Sequence, residues 1–147
     1  MARSSTCSDA VSAPFPHRLL PRSKGGLFAW ESVRHCDTVI LVEGLFDLAV
    51  LWQSGFRNTT CALGAHLTPA QFDQLSDPPG RSVYIVLDQD ENQAGQHASQ
   101  ALAGRLQQAG LAVSLVKLSA GQDPNSYFVR GARAADFILC LQGAQPL

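Results

Sequence analysis

Residues 38–47 read TVILVEGLFD, a wholly apolar and largely β-branched run followed by Glu43, Gly44 and, one helical turn later, Asp47. An apolar run of this kind predicts a strand that is buried on both faces of a sheet. Residues 44–54 place apolar side chains at helical spacing, and Gly55 follows them as a plausible end of the helix. A buried strand that leads directly into a helix is typical of a parallel sheet.

The alternation of strand and helix continues along the chain from this unit. Thr68 and Pro69 form a typical helix start, because a hydroxyl can cap the helix and proline fits its first turn. The further predicted elements are strands at 59–63, 82–87 and 111–118, and helices at 68–75 and 92–109. We therefore predict an α/β fold with a mainly parallel four-stranded sheet and helices on both faces.

The chain of 147 residues has room for one domain with short flanking segments. Residues 1–35 are predicted to be an irregular arm and lead-in, rich in Ser, Pro and basic residues. Residues 36–130 form the predicted domain, and residues 131–147 a short helical C-terminal tail. The arm carries Arg22 and Lys24, which are interpreted either as part of a solvated linker or as a basic strap that contacts phosphate.

Composition excludes several classes of protein. The formal net charge of -1 excludes a strongly basic protein that coats nucleic acid, although a local site remains compatible with it. No apolar run approaches the roughly 20 residues that span a bilayer, so no membrane contact is expected. The four cysteines form no CxxC pair, and no secretory signal is recognisable, so we expect a cytoplasmic location.

Acidic residues follow three of the predicted strands at the point where each strand ends. Glu43 and Asp47 follow the first strand, Asp88 and Asp90 the third, and Asp123 the fourth. Ligand chemistry in such sheets collects at the carboxyl ends of the strands. Carboxylate oxygens are the ligands that Mg²⁺ prefers, together with water and substrate phosphate. The pattern therefore predicts a divalent cation site, although each acid alone could equally cap a helix or stabilise a turn.

Four stretches in this order resemble the TOPRIM domain in the form found in bacterial DnaG-type primases. Residues 39–47 resemble its first signature, a strand followed by EGxxD, and residues 87–98 its second, DxD followed by an AGxxA helix start. Residues 121–125 are similar to the primase-type GxDPD loop, and residues 62–68 to the turn after the second strand. The lead-in at 20–28 resembles that of primase-like proteins of phages and mobile elements. The resemblance implies the TOPRIM fold.

The resemblance also implies a Mg²⁺-dependent site for nucleotidyl transfer, in which Mn²⁺ can substitute, as in RNA primer synthesis for DNA replication. Glu43 would be the general acid or base. The metal ligands would be Asp88 and Asp90, with Asp47 and Asp123 in support. Weaker candidates for contact with phosphate or nucleic acid are the basic residues of the arm and two loop residues, namely Arg22, Lys24, Gly44 and Asn125.

Two departures from the primase pattern bear on function. Asn125 stands where the family often has a second acid, and residues 89–93 lack the usual compact glycine and basic pattern around DxD. The chain also shows no zinc-binding module and no helicase-binding tail. The resemblance therefore implies a truncated or partner-dependent primase core that acts on single-stranded DNA template and nucleotides. The expected partners are a helicase or a separate zinc-binding or template-binding protein.

Two other functions remain open. A small TOPRIM nuclease would use the same acids to hydrolyse phosphodiesters, but the DPN loop at residues 123–125 is typical of primases. A non-catalytic TOPRIM module would act through protein contacts in replication or recombination, and the presence of Glu43, Asp88 and Asp90 argues against this.

Overall fold

The fold was analysed in a computed structural model that describes residues 25–64, 66–87, 93–119 and 121–147. These residues form helices and strands in the following order: α1 Trp30–Val33, β1 Thr38–Val42, α2 Leu45–Gln53, β2 Thr59–Cys61, α3 Pro69–Ser76, β3 Ser82–Val86, α4 Gln93–Gln108, β4 Ala112–Leu115, α5 Pro124–Val129, α6 Ala134–Gln142 and β5 Gln145–Pro146.

The strands form one sheet in the order β2-β1-β3-β4-β5. The first four strands are parallel, and β5 pairs with β4 in the antiparallel direction. This confirms the predicted α/β class and its mainly parallel sheet. Beyond β2, Phe28 forms an isolated antiparallel bridge with Cys61, so the chain before α1 lies along that edge of the sheet.

Successive side chains of the central strands face two separate hydrophobic clusters. Val39 and Leu41 of β1 belong to one cluster, with buried side chains of α3 and α4, whereas Ile40 and Val42 belong to the other, with Leu51 and Phe137 among the residues they join. Because side chains alternate along a strand, a strand that is apolar at every position fills both clusters. The helices accordingly cover both faces of the sheet, as predicted.

Several boundaries differ from the prediction for local reasons. Strand β2 ends at Cys61 and does not reach residue 63, because Leu63 has a φ of 58° and Gly64 a φ of 139°, which turn the chain away from the sheet. Helix α1 lies in the segment predicted to be irregular, and its four residues are too few for a recognisable period. Strand β5 lies within the predicted helical tail, after α6.

The predicted start of α3 is confirmed in atomic detail. The Thr68 hydroxyl accepts a hydrogen bond from the backbone N–H of Gln71, and the Gln71 side chain accepts one from the N–H of Thr68. This reciprocal pair is a capping box, with Pro69 at the first helical position. Among the described residues, no helix has both the length and the apolar character that crossing a membrane would demand.

Candidate functional site

The carboxyl ends of the parallel strands lie at one edge of the sheet, and this edge carries the predicted acids that the structure describes. Glu43 and Gly44 follow β1, Asp47 is the third residue of α2, and Asp123 immediately precedes α5. Asn125 is in the first turn of α5. Four other predicted site residues lie outside the described residues, namely Arg22, Lys24, Asp88 and Asp90.

Asp47 joins the loop after β1 to the beginning of α5. Its side chain is buried, with 5% of its surface exposed, and its Oδ1 accepts a hydrogen bond of 2.9 Å from the backbone N–H of Asn125. Burial raises the pKa of Asp47, the N–H of Asn125 opposes that shift, and the negative charges of Asp123 and Glu43 add to it. The acids of these two loops are therefore close enough to repel one another.

Gly44 is required by the position of the Asp47 carboxylate. A Cβ atom at residue 44 would lie 2.9 Å from Asp47 Oδ2, which is closer than nonbonded atoms approach. The sequence made Gly44 a candidate for contact with phosphate or nucleic acid, and in the structure the chain's own carboxylate lies next to it. The EGxxD spacing thus brings Asp47 back over the residue that begins the helix.

Asp123 caps the short helix α5. Its Oδ1 accepts hydrogen bonds from the backbone N–H and the hydroxyl of Ser126, both at 2.6 Å, and Pro124 occupies the first helical position. One oxygen of this carboxylate is therefore used within the loop. Asn125 contributes its backbone N–H to Asp47, so the amide side chain is not the group that joins the two loops.

The main chain of Glu43 is held by a turn that follows β2. The carbonyl oxygen of Glu43 accepts hydrogen bonds from the Cys61 thiol at 3.1 Å and from the backbone N–H of Gly64 at 3.3 Å. The Cys61 sulfur in turn accepts one from the N–H of Leu63 at 3.4 Å. Burial raises the pKa of the Cys61 thiol to about 11, so the thiol keeps its proton and can donate at neutral pH.

Sequence reasoning did not include Cys61 in the site, because a single cysteine without a paired ligand indicates neither a metal site nor a disulfide. Its position immediately before residues 62–68, which resemble the turn after the second strand of primases, is the signal that could have found it. Three loops thus meet at this edge, each fixed to a neighbour by main-chain hydrogen bonds.

Comparison with known proteins shows the family to which the chain belongs. The profile of the Toprim domain family matches residues 38–134, which include β1, the loop of Asp123 and α5. The chain belongs to the Toprim domain family. The match begins at the first residue of β1 and covers all of the described site residues.

Individual relatives of this Toprim domain are DNA primases. The DNA primase of Aquifex aeolicus is 39% identical over 103 residues, which are 69% of this chain and 20% of that protein. The DNA primase of Myxococcus xanthus is 31% identical over 118 residues, or 80% of this chain and 19% of that protein. The chain therefore spans about a fifth of the length of these curated relatives.

Solved structures with the same fold are also primases. A crystal structure of the zinc-binding and RNA polymerase domains of the Aquifex aeolicus primase superposes with a TM-score of 0.70 and 28% identity, covering 89% of this chain and 36% of that one. A DNA primase domain from Pseudomonas aeruginosa superposes with a TM-score of 0.65 and 25% identity, covering 88% and 46%. The domain is therefore a primase-like Toprim domain, as its sequence predicts.

The described acids of this Toprim domain suit a hard cation in the type of donor they offer. Beyond the effect of burial, the charges of Asp123 and Glu43 raise the pKa of Asp47, and a cation among the three would remove that repulsion. Within the part of the chain that the structure describes, no three His, Cys, Asp or Glu side chains form a group that could hold a metal ion by themselves. A complete ligand set therefore needs further donors, for which Asp88 and Asp90 are the predicted candidates.

Proposed function

We propose that this Toprim domain is the Mg²⁺-dependent nucleotidyl-transfer site of a primase-like protein that makes RNA primers on single-stranded DNA. The observation that carries the proposal is the convergence of Glu43 and Asp47, from the segment after β1, with Asp123, from the loop before α5, at the carboxyl edge of the sheet. The likeness to DNA primases in sequence and fold supports the same conclusion. Nucleotides and a single-stranded template are then the substrates.

Glu43 is the proposed general acid or base, which takes a proton from the attacking hydroxyl or returns one. A group in this role needs a fixed starting position, since catalysis falls steeply when reacting atoms are misplaced. The hydrogen bonds from Cys61 and Gly64 to the main-chain carbonyl of Glu43 fix the backbone from which its side chain extends. The bond between Asp47 and Asn125 keeps the loop of Asp123 against the loop of Glu43.

Asp88 and Asp90 are the proposed principal ligands of Mg²⁺, and Asp47 and Asp123 the supporting acids. Held by these residues, Mg²⁺, or Mn²⁺ in its place, would supply the charge that orients a triphosphate and stabilises the leaving oxygen. The support from Asp47 and Asp123 is mostly electrostatic, because one oxygen of each carboxylate already accepts hydrogen bonds within the protein.

Template handling is proposed to depend on other modules or partners. The relatives are about five times longer than the matched region, so the activity of a whole primase requires more than this domain. A helicase and a zinc-binding or template-binding protein are the proposed partners. We also propose that the protein is cytoplasmic and that it has a role in a mobile element.

The first test is a metal titration of the purified chain with thermal unfolding as the readout. Mg²⁺ or Mn²⁺ should raise the melting temperature of the wild type in a saturable way, because a ligand that binds only the folded state stabilises it. The Asp88→Asn/Asp90→Asn double variant should fold as well as the wild type or slightly better, and should lose the metal response. Asp73→Asn, an exposed acid on α3, is the matched control and should keep it.

The second test is incorporation of labelled ribonucleotides on a single-stranded DNA template, with a zinc-binding primase module supplied separately. Glu43→Gln should suppress incorporation while leaving the metal-dependent rise in melting temperature. Glu31→Gln, an exposed residue of α1, should change neither. A metal response that survives in the double variant, or a turnover rate that Glu43→Gln leaves unaltered, would contradict the proposed roles.

A further inference from the structure

Phe46 is a large aromatic residue that the fold leaves in solvent beside the acids. It is the second residue of α2, and 73% of its surface is exposed. Its neighbours Leu45 and Leu48 pack against the hydrophobic cluster, and Asp47 is buried. The exposed side of the helix otherwise carries Ala49 and Gln53. The aromatic ring therefore has no role in the core, and it is confined to the end of the helix that faces the site.

Phe46 is close to the carboxylates in the sequence. It lies directly before Asp47, at a Cα separation of about 3.8 Å, and three residues after Glu43. The hydrogen bonds that fix Asp47 and the main chain of Glu43 also fix the backbone on both sides of Phe46. The ring therefore projects into solvent from a backbone segment that is fixed next to the proposed nucleotide site.

The surroundings of Phe46 favour a nucleobase over an apolar protein surface. A specific protein interface usually buries more than about 1,200 Å² in total, which requires an extended patch. Among the described residues, the other exposed large apolar side chains belong to α5, α6 and the C-terminus: Val129, Ile138, Leu139 and Leu147. In the sequence Phe46 lies between Glu43 and Asp47, and a single exposed ring is sufficient to stack on one base.

We propose that the ring of Phe46 stacks on an unpaired base of the nucleotide or single strand bound at the acid site. This inference rests on the proposed function and adds a base-contacting residue to it. Stacking uses the face of the ring, so it gives affinity without sequence preference. It also needs no positive charge from the protein, which suits a site whose described side chains at this point are acidic.

The experiment compares two single-stranded 12-mers in Mg²⁺, one of thymidylates and one of abasic sites, bound to variants of the whole chain. Phe46→Leu keeps an apolar side chain and removes the ring. It should weaken binding of the thymidylate strand by about five- to one-hundredfold. Its affinity for the abasic strand should equal that of the wild type, because that strand has no base to stack. Leu139→Ala, an exposed apolar residue of α6, is the control and should bind both strands as the wild type does.

A spectroscopic readout separates stacking from a structural effect. Phe46→Trp should bind the thymidylate strand at least as well as the wild type, and its added fluorescence should be quenched by that strand and not by the abasic one. The inference would be overturned if Phe46→Leu weakened the binding of both strands equally or left the binding of the thymidylate strand unchanged. It would also be overturned if the wild type bound neither strand. If the metal response still disappears in Asp88→Asn/Asp90→Asn, such a result leaves the proposed function standing.

Discussion

Asp47 joins two loops that are 78 residues apart in sequence. Its carboxylate lies over Gly44 and accepts the N–H of Asn125, so the residue is part of the scaffold as well as of the acid site. Such a buried carboxylate is stabilised by hydrogen bonds and destabilised by desolvation and by neighbouring negative charge. The balance here raises the pKa of Asp47, so the folded domain holds its proton more tightly than the unfolded chain does.

We expect Asp47→Asn to stabilise the metal-free domain at neutral pH. A folded pKa above the unfolded value means that Asp47 favours folding at pH values below the unfolded pKa. This contribution is lost as the pH rises through the folded pKa. The side-chain amide of the variant can still accept the N–H of Asn125 and carries no charge, so the variant should lack this dependence. Urea unfolding from pH 3 to 8 measures the difference between the two proteins, and a variant that is less stable than the wild type at pH 8 would contradict the expectation.

At the scale of the element, two glycines in and just after the C-terminal half of helix α4 are in opposite situations. Gly104 lies inside the helix, and a Cβ atom added there would meet no atom within 4 Å. Gly110 follows the end of the helix with a φ of 88°, a left-handed conformation that side chains disfavour. The same substitution should therefore have opposite effects at the two positions.

Gly104→Ala should raise the free energy of unfolding by about 0.5–1 kcal/mol, because alanine loses less conformational entropy in a helix than glycine. Gly110→Ala should lower it by about 1 kcal/mol or more, since the native φ is incompatible with a side chain. Chemical denaturation of the two variants beside the wild type tests this pair. Changes of the same sign would show that α4 does not end where the structure places it.

Helices and strands could be predicted where a short pattern of residues in the sequence determines them. The run at residues 38–42 specifies a buried strand, and Thr68 with Pro69 specifies the start of α3, both of which the structure confirms. Strand β5 was not predicted because its two residues are too few to show an alternating pattern of hydrophobicity. It forms by pairing with Ser114 and Leu115 of β4. Tertiary contacts of this kind leave no signal in the sequence.

The sequence predicted where the described acids lie, but not the hydrogen bonds that they make. The positions of Glu43, Asp47 and Asp123 after strands predicted that they would share one edge of the sheet. The sequence left open whether each acid caps a helix, and it did not predict that Asn125 acts through its backbone, because such bonds depend on the path of each loop. The roles of Asp88 and Asp90 stay a prediction.

In the whole molecule, the two ends of the sheet differ in chemistry. The acids lie at the carboxyl ends of the parallel strands, whereas Arg81 is buried just before β3 at the amino ends, with 3% of its surface exposed. Its guanidinium donates to the carbonyl oxygens of four residues in and after α1 and α3, Arg34, Cys36, Gln74 and Leu75. Its guanidinium carbon also lies 5.0 Å from the centre of the Trp30 ring. One buried cation thus satisfies the ends of two helices.

We expect Arg81→Met to lower the free energy of unfolding by more than about 2 kcal/mol, because it leaves buried carbonyl groups without donors. Arg57→Met, an exposed arginine near Trp52, should change it by less than about 0.5 kcal/mol. The metal-dependent rise in melting temperature should persist in Arg81→Met wherever the variant is folded, since Arg81 is remote from the acids. Loss of that response in a folded variant would show that the two ends of the sheet are coupled.

The order of chain segments across the sheet fixes the distance between its two edges. Phe28 bridges Cys61 beyond β2, and β5 lies at the opposite edge, so five spacings of about 4.8 Å separate the two, or roughly 24 Å. Dipolar coupling between spin labels at residues 28 and 145, one in each of these two segments, can measure a distance of this size. Peeling of β5 would lengthen the distance before any other strand moved, so that a single spectroscopic distance would report how firmly the C-terminal edge is closed.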